Sequence, residues 1–241
     1  MTGKLNKSRG EYKNEWGVKP RDVWQIGDHI IACGDIELGH ADWVLDHFCP
    51  NPDMTYIDPP WGPALATGYR TKARMPRKVD YWVFMRRILT LTSRTRGDVF
   101  LENGIKWTEQ MKAEAVELGA EVLNDWTTTY YKRSPSKLIR IRWPSDDPHP
   151  LRESTKLSPV EFEGMDDEDT PFWAIRKFSN EGDTIFDCCT GQGLTAADSD
   201  SLKRKFVGLE LHPGRLSESI QKLVLTGLQA RKIGEIPQRD Q

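Results

Sequence analysis

The sequence predicts a three-layer α/β fold: a mostly parallel sheet with helices on both faces. Two observations carry this. Short apolar strands alternate with helix-periodic segments along most of the chain. Two carboxylate-bearing turns, Asp58-Pro59-Pro60-Trp61 and Asp187 to Gly193, each follow directly on such a strand. A length of 241 residues suits one domain with modest insertions.

Val23 to Cys33 alternates loosely around Gly27-Asp28 and reads as a hairpin ending at Gly34-Asp35. Leu38, Ala41, Leu45 and Phe48 recur at helical spacing until Cys49-Pro50-Asn51-Pro52 breaks the helix. Met54 to Ile57 is a short buried strand, and it must end at Asp58 because two prolines cannot continue a central ladder. Gly62 to Lys78 reads as a mobile basic loop, Val79 to Ser93 as a helix and Asp98 to Leu101 as a strand. Ile105 to Leu118 is a helix closed by Gly119. Trp126, Thr128 and Tyr130 alternate, as do Ile139, Ile141 and Trp143, giving an antiparallel hairpin about Ser134-Pro135-Ser136. The polar, acidic segment Ser145 to Asp169 reads as a linker or flap. Strand (Thr184 to Asp187), helix (Leu194 to Lys203), strand (Phe206 to Glu210) and helix (Pro213 to Thr226) complete the pattern. The expected division is a flexible arm at 1–20, a domain at 21–228 and a frayed polar tail at 229–241.

Composition narrows the function classes. A mean hydropathy of −0.62 and the lack of any long apolar run exclude a membrane helix in the sequence given. Met1 to Gly10 is polar and basic, unlike a secretory signal. Cys33, Cys49, Cys188 and Cys189 show neither disulfide nor metal spacing, so reduced thiols, a cytoplasmic location and no metal are expected. Net charge is −2, but its distribution is uneven. Arg70 to Arg96 holds nine bases against Asp80, and Tyr131 to Arg142 holds five bases and no acid. Interleaved with Tyr69, Tyr81, Tyr131 and Trp143, these blocks lean towards a polyanion, although each alone is also what a solvated face looks like. Arg70, Lys72, Arg74, Arg77 and Lys78 in the loop, and Lys132 and Arg133 in the hairpin, are the expected phosphate contacts.

The turn Asp58-Pro59-Pro60-Trp61 suits chemistry on a base amine. An exocyclic amine has its lone pair conjugated into the ring and is a poor nucleophile. The Asp58 carboxylate and a proline-pinned Pro59 carbonyl could accept both amino hydrogens, with Pro60 fixing the turn. Trp61 offers a face on which an extruded base can stack. The bland alternative is a proline-rich turn with Trp61 in the core.

In the second turn, Gly191 and Gly193 allow a sharp bend and close approach of a ligand to the backbone. Glu210, at the tip of the next strand, is placed for ribose hydroxyls. Gly191, Gly193 and Ala196 also satisfy the dinucleotide pattern G-x-G-x-x-A, but the pattern lies too late in the chain for a full dinucleotide domain. The preceding Asp187 suits the ammonium and sulfonium of S-adenosylmethionine better than a pyrophosphate.

With both turns in view, Val23 to Leu225 resembles the permuted, beta-class amino-methyltransferases of DNA. Asp58 to Trp61 is similar to their D-P-P-[YFW] catalytic motif, and Asp187 to Gly193 to their cofactor loop, with Cys188-Cys189 in place of Pro-Phe. Gly34-Asp35 is similar to the opening G-D pair near the cofactor's adenine. Pro171-Phe172 stands where a K-P segment holds the methionine end, here with Thr170 for the lysine. The resemblance implies a Rossmann-like methyltransferase with a mostly parallel seven-stranded sheet, one antiparallel hairpin and circularly permuted motif order. It implies S-adenosylmethionine as cofactor, held by Asp35, Pro171, Phe172, Asp187, Cys188, Cys189, Gly191, Gly193 and Glu210.

It further implies direct transfer to a flipped base in double-stranded DNA, with N6 of adenine favoured by aspartate at position 58. N4 of cytosine, RNA adenosine and a non-catalytic subunit remain open. A cysteine-nucleophile mechanism is rejected, because Cys49-Pro50 reverses the usual Pro-Cys order and precedes the strand. No long recognition insertion is present, so specificity is short or relaxed, or supplied by a second copy or a specificity subunit, and a restriction-modification role stays open.

Overall fold

The computed structural model describes residues 12–75, 78–130, 132–150 and 165–238. The strands are β1 (Asp22–Ile26), β2 (His29–Cys33), β3 (Met54–Ile57), β4 (Asp98–Gly104), β5 (Glu121–Tyr130), β6 (Ser134–Arg142), β7 (Thr184–Asp187), β8 (Lys205–Glu210) and β9 (Ala230–Glu235). The helices are α1 (His40–Phe48), α2 (Pro63–Lys72), α3 (Tyr81–Thr92), α4 (Thr108–Glu117), α5 (Thr170–Phe178), α6 (Leu194–Ser201) and α7 (Pro213–Val224).

All nine strands form one sheet in the order β5-β6-β4-β3-β7-β8-β2-β1-β9. The five central strands, β4, β3, β7, β8 and β2, run parallel. The hairpins β1–β2 and β5–β6 and the strand β9 add antiparallel pairings on both sides. The seven-stranded, mostly parallel sheet with one hairpin is therefore corrected to nine strands of mixed direction.

Alternation along the central strands fills two layers. Ile57, Val99 and Leu101 join Val44, Leu45, Met85, Ile88 and Met111 from α1, α3 and α4. Met54, Tyr56 and Phe100 face the other way, against Ala174, Ile175, Ala196, Leu216 and Ile220 from α5, α6 and α7. Each fully buried apolar side chain of this size contributes about 1.5–3 kcal/mol.

Three expectations change. The basic loop begins with helix α2, started by Gly62 and by Pro63 in its first turn, with Ala66 and Arg70 on its buried face. The polar tail forms β9, an edge strand paired with β1, after which Ile236 is buried and its N–H donates to the Arg21 carbonyl. In residues 12–20 of the supposed arm Tyr12, Trp16 and Val18 pack against the domain: the Trp16 indole donates to Gln221 Oε1 at 3.0 Å and stands edge-on to Trp24. Residues 1–11 of that arm, Arg77 and flap residues 151–164 lie outside the described residues.

Both ends of the flap that are described dock firmly. Asp166 accepts from the Thr129 hydroxyl and the Lys132 N–H. His149 bonds Asp183 at 3.0 Å, while Arg96 pairs with Asp53 and Asp147, tying this end to the N-terminal side of β3 and β7.

Candidate active site

Because the central strands are parallel, their C-terminal ends lie together, where α/β folds place ligands. Gly34-Asp35 follows β2, Asp58 follows β3, Asp187 closes β7 and Glu210 closes β8. Strand order makes β3 and β7 neighbours, and likewise β8 and β2. Asp58, Pro59, Pro60, Trp61, Asp35, Cys188, Cys189 and Glu210 all line one cavity of about 220 Å³. The Asp58 turn and Cys188-Cys189, about 130 residues apart in sequence, thus meet in one place, while the expected cofactor residues Asp187, Gly191 and Gly193 are not among the residues lining it.

Asp58 opens into the cavity, and its Oδ1 accepts the Trp61 indole N–H at 2.9 Å. Crowding by protein pushes its pKa up to about 6, against the lowering effects of the Trp61 hydrogen bond and of Arg215. The Pro60 carbonyl accepts from the Tyr81 hydroxyl at 3.1 Å and from the Gly62 N–H at 2.9 Å. Those bonds hold the proline turn. Trp61 lies over Gly104 and edge-on to Tyr130, ring centroids 4.9 Å apart. That contact brings the tip of the β5–β6 hairpin, with exposed Lys132 and Arg133, to the mouth of the site.

Behind Asp58 sits a buried polar knot. Glu102 Oε1 accepts from the Tyr56 and Thr170 hydroxyls, and desolvation with the nearby Asp58 charge raises the Glu102 pKa well above the usual carboxylate range. Thr170 begins α5, so the segment expected to hold the cofactor braces β3 and β4 through Tyr56 and Glu102. Pro171 and Phe172 do not line the cavity: Pro171 is buried in the first turn of α5 and Phe172 is 37% exposed.

The glycine loop after β7 turns sharply, as its glycines suggested. Gly191 and Gly193 have φ of +60° and +78°. A side chain at Gly193 would meet Ser219 at 2.8 Å, and one at Gly191 would meet the Arg215 guanidinium at 2.7 Å. Glu210 accepts from the Gly191 and His212 N–H groups, both at 2.8 Å, which fixes its carboxylate at the base of the loop. Asp187 is buried; desolvation raises its pKa to about 8, opposed by the Cys189 N–H bonded to it at 2.8 Å. Cys188 is buried and Cys189 partly so.

Two expected surface roles change. Asp35 lines the cavity, but both its oxygens are taken by Arg70, at 3.0 and 2.9 Å, and Arg70 also pairs with Glu37 at 2.9 Å. Arg70 is 5% exposed and clamps α2 over the site, so it is not placed as a phosphate contact. Lys72, Arg74 and Lys78 are exposed. Tyr69 and Arg215 also line the cavity and were not anticipated. The guanidinium lies 4.8 Å from the Tyr69 ring centroid. Tyr69 sits one residue before Arg70 on a helix read as loop, and Arg215 lies five residues past Glu210, so neither carried a motif.

No protein-family model and no curated protein matches the chain. Solved structures do. The complex of M1.HpyAVI with S-adenosylmethionine superposes with a TM-score of 0.59 at 12% identity, over 80% of this chain and 98% of that one. TTHA0409 of Thermus thermophilus, assigned as a DNA modification methylase and complexed with S-adenosyl-L-methionine, gives 0.58 at 17% identity over 82% and 93%. The PvuII DNA methyltransferase, cytosine-N4-specific, gives 0.53 at 14% over 86% and 93%. The chain has the methyltransferase fold. Within that fold the cavity stands at the C-terminal ends of the parallel strands, and its proline turn precedes its glycine loop in the chain.

Proposed function

We propose that this chain transfers a methyl group from S-adenosylmethionine to an exocyclic amine of a DNA base, N6 of adenine foremost. The observation that carries the reading is the convergence of the Asp58-Pro59-Pro60-Trp61 turn with Cys188-Cys189 of the second loop and Glu210 on one cavity. The lining fits the cofactor: Glu210 is fixed for ribose hydroxyls and Asp58 suits a cationic ligand, while Asp187 and Gly191, off the cavity wall, hold the loop through the Cys189 N–H and Glu210. When bound, the cofactor supplies a methyl group on a sulfonium, an electrophile that needs no covalent enzyme intermediate.

The chain's own residues do the rest. Trp61 and Tyr130 give aromatic surface to an extruded base, which offsets part of its unstacking cost. Asp58 Oδ2 and the Pro59 carbonyl accept the two amino hydrogens and orient the nitrogen lone pair towards the methyl. The nitrogen sheds one proton as it is methylated, and Asp58 is the acceptor nearest to it. Lys132 and Arg133 at the hairpin tip, and Lys72, Arg74 and Lys78 beyond α2, supply charge for double-stranded DNA on either side of the mouth. A second copy or a specificity subunit would extend recognition, and a cytoplasmic setting follows from this substrate.

The PvuII neighbour favours N4 of cytosine as the second reading. Expressing the wild type and Asp58→Ala in a methylation-free bacterial host, then analysing digested DNA and RNA by mass spectrometry, tests both. N6-methyladenine in DNA from the wild type alone is expected. N4-methylcytosine would correct the base, a mark only in RNA would correct the polymer, and no mark from folded protein would reject the reading.

A further inference from the structure

Arg215 is an unusual cation. It stands in the first turn of α7, within the helix Pro213–Val224, where aligned peptide dipoles disfavour positive charge. Its Nε is buried without a hydrogen-bond partner. A buried donor left unmade is costly unless a ligand completes it. Burial works against the guanidinium charge, and the Glu210 and Asp58 carboxylates counter that. The group lies against Gly191, close enough that any side chain there would collide with it, and is held from the other side by the Tyr69 ring.

The cavity has two cationic lining residues, Arg70 and Arg215. Arg70 is spoken for by Asp35 and Glu37. An amino-acid-bearing cofactor brings one anion, its α-carboxylate, into a cavity whose acidic walls are Asp35, Asp58 and Glu210. A carboxylate entering such a site needs a cation with free donors. Arginine's planar fork is suited to that task.

The geometry points to Arg215 as the residue that binds the α-carboxylate of the cofactor's amino-acid end. This rests on the S-adenosylmethionine reading above. The guanidinium forms charge-assisted hydrogen bonds to the carboxylate, Nε being the donor now unmet, and the Tyr69 ring packs near the planar group from α2.

The test compares two probes by titration calorimetry on the full chain. S-adenosylhomocysteine carries the α-carboxylate, and 5′-methylthioadenosine lacks the whole amino-acid end. Arg215→Leu should weaken S-adenosylhomocysteine about 10- to 100-fold while leaving methylthioadenosine within about twofold, as loss of a charged hydrogen bond predicts. Arg215→Lys, which keeps the charge without the fork, should recover part of that loss, and thermal melts of both variants establish that they fold. Equal weakening of both probes would overturn the assignment and make Arg215 a structural or ribose-side residue. Unchanged affinity for both, with weakened DNA binding, would overturn it in favour of a phosphate contact. Wild-type protein that binds neither probe would reject the S-adenosylmethionine reading itself, an outcome distinct from the other two.

Discussion

Replacing Arg70 with methionine separates two readings of the same basic residue. In the structure Arg70 bonds both oxygens of Asp35 and also Glu37, all three groups largely withdrawn from water. Removing one partner of a buried ion pair costs about 3–5 kcal/mol, because the remaining charges stay desolvated and unpaired. Of the ten residues in α2 only Ala66 and Arg70 are buried, so the helix has little else to hold it down. The variant therefore escapes the full cost by letting α2 swing out, and the penalty appears as local opening. Hydrogen exchange read by mass spectrometry should show α2 amides exchanging about 100-fold faster or more, the equivalent of about 3 kcal/mol. The central strands should stay protected. Lys72→Met, at an exposed position on the same helix, should leave exchange unchanged. Wild-type exchange in Arg70→Met together with a shallower salt dependence of DNA binding would refute the ionic clamp and restore a phosphate contact.

Three further outcomes follow from the site. Asp58 must be ionised to accept an amine proton, so turnover should climb about tenfold per pH unit below about 6 and level off above it, while Asp58→Asn stays inactive across the range. Asp187 is raised to about 8, so its carboxyl is mostly neutral at pH 7; binding a cationic cofactor should release close to one proton, measured by calorimetry in buffers of different ionisation enthalpy, and Asp187→Asn should release none. The same raised pKa means that Asp187's contribution to stability is present at acid pH, below the ordinary carboxylate value, and is lost as pH rises through about 8. Gly193→Ala combines a positive φ with a 2.8 Å collision against Ser219, and urea unfolding should show a loss of about 2–4 kcal/mol.

The legible parts of this molecule were those that repeat or that must break a pattern. Strands β3 and β7 announce themselves as apolar runs stopped by Pro59 and by a glycine loop, and the order of these stops locates the cavity. Helix α2 was hidden because its buried face is one alanine and one arginine, which no hydrophobic periodicity reveals. Arg70 looked like surface charge because its partners lie 35 and 33 residues away, and pairing across such distances leaves no local trace. Strand β9 is polar and mostly exposed, and its backbone pairing with β1 rather than its composition makes it a strand. Pro171 and Phe172 lie off the cavity for a different reason: α5 turns Thr170 towards Glu102 and Tyr56.

The two margins of the sheet constrain how copies of this protein can meet. At one margin β9 carries Lys232 clasped by Asp22 and Glu235, and its register with β1 shifts between Val23 and Trp24. At the other, β5 is irregular between Val122 and Asn124, and Asp125 gathers Lys112 and Lys137. Charged side chains and broken registers of this sort make poor templates for another strand. Extension of the ladder by a second copy is disfavoured at both ends, which directs self-association to the helical faces and leaves the hairpin tip beside Trp61 clear.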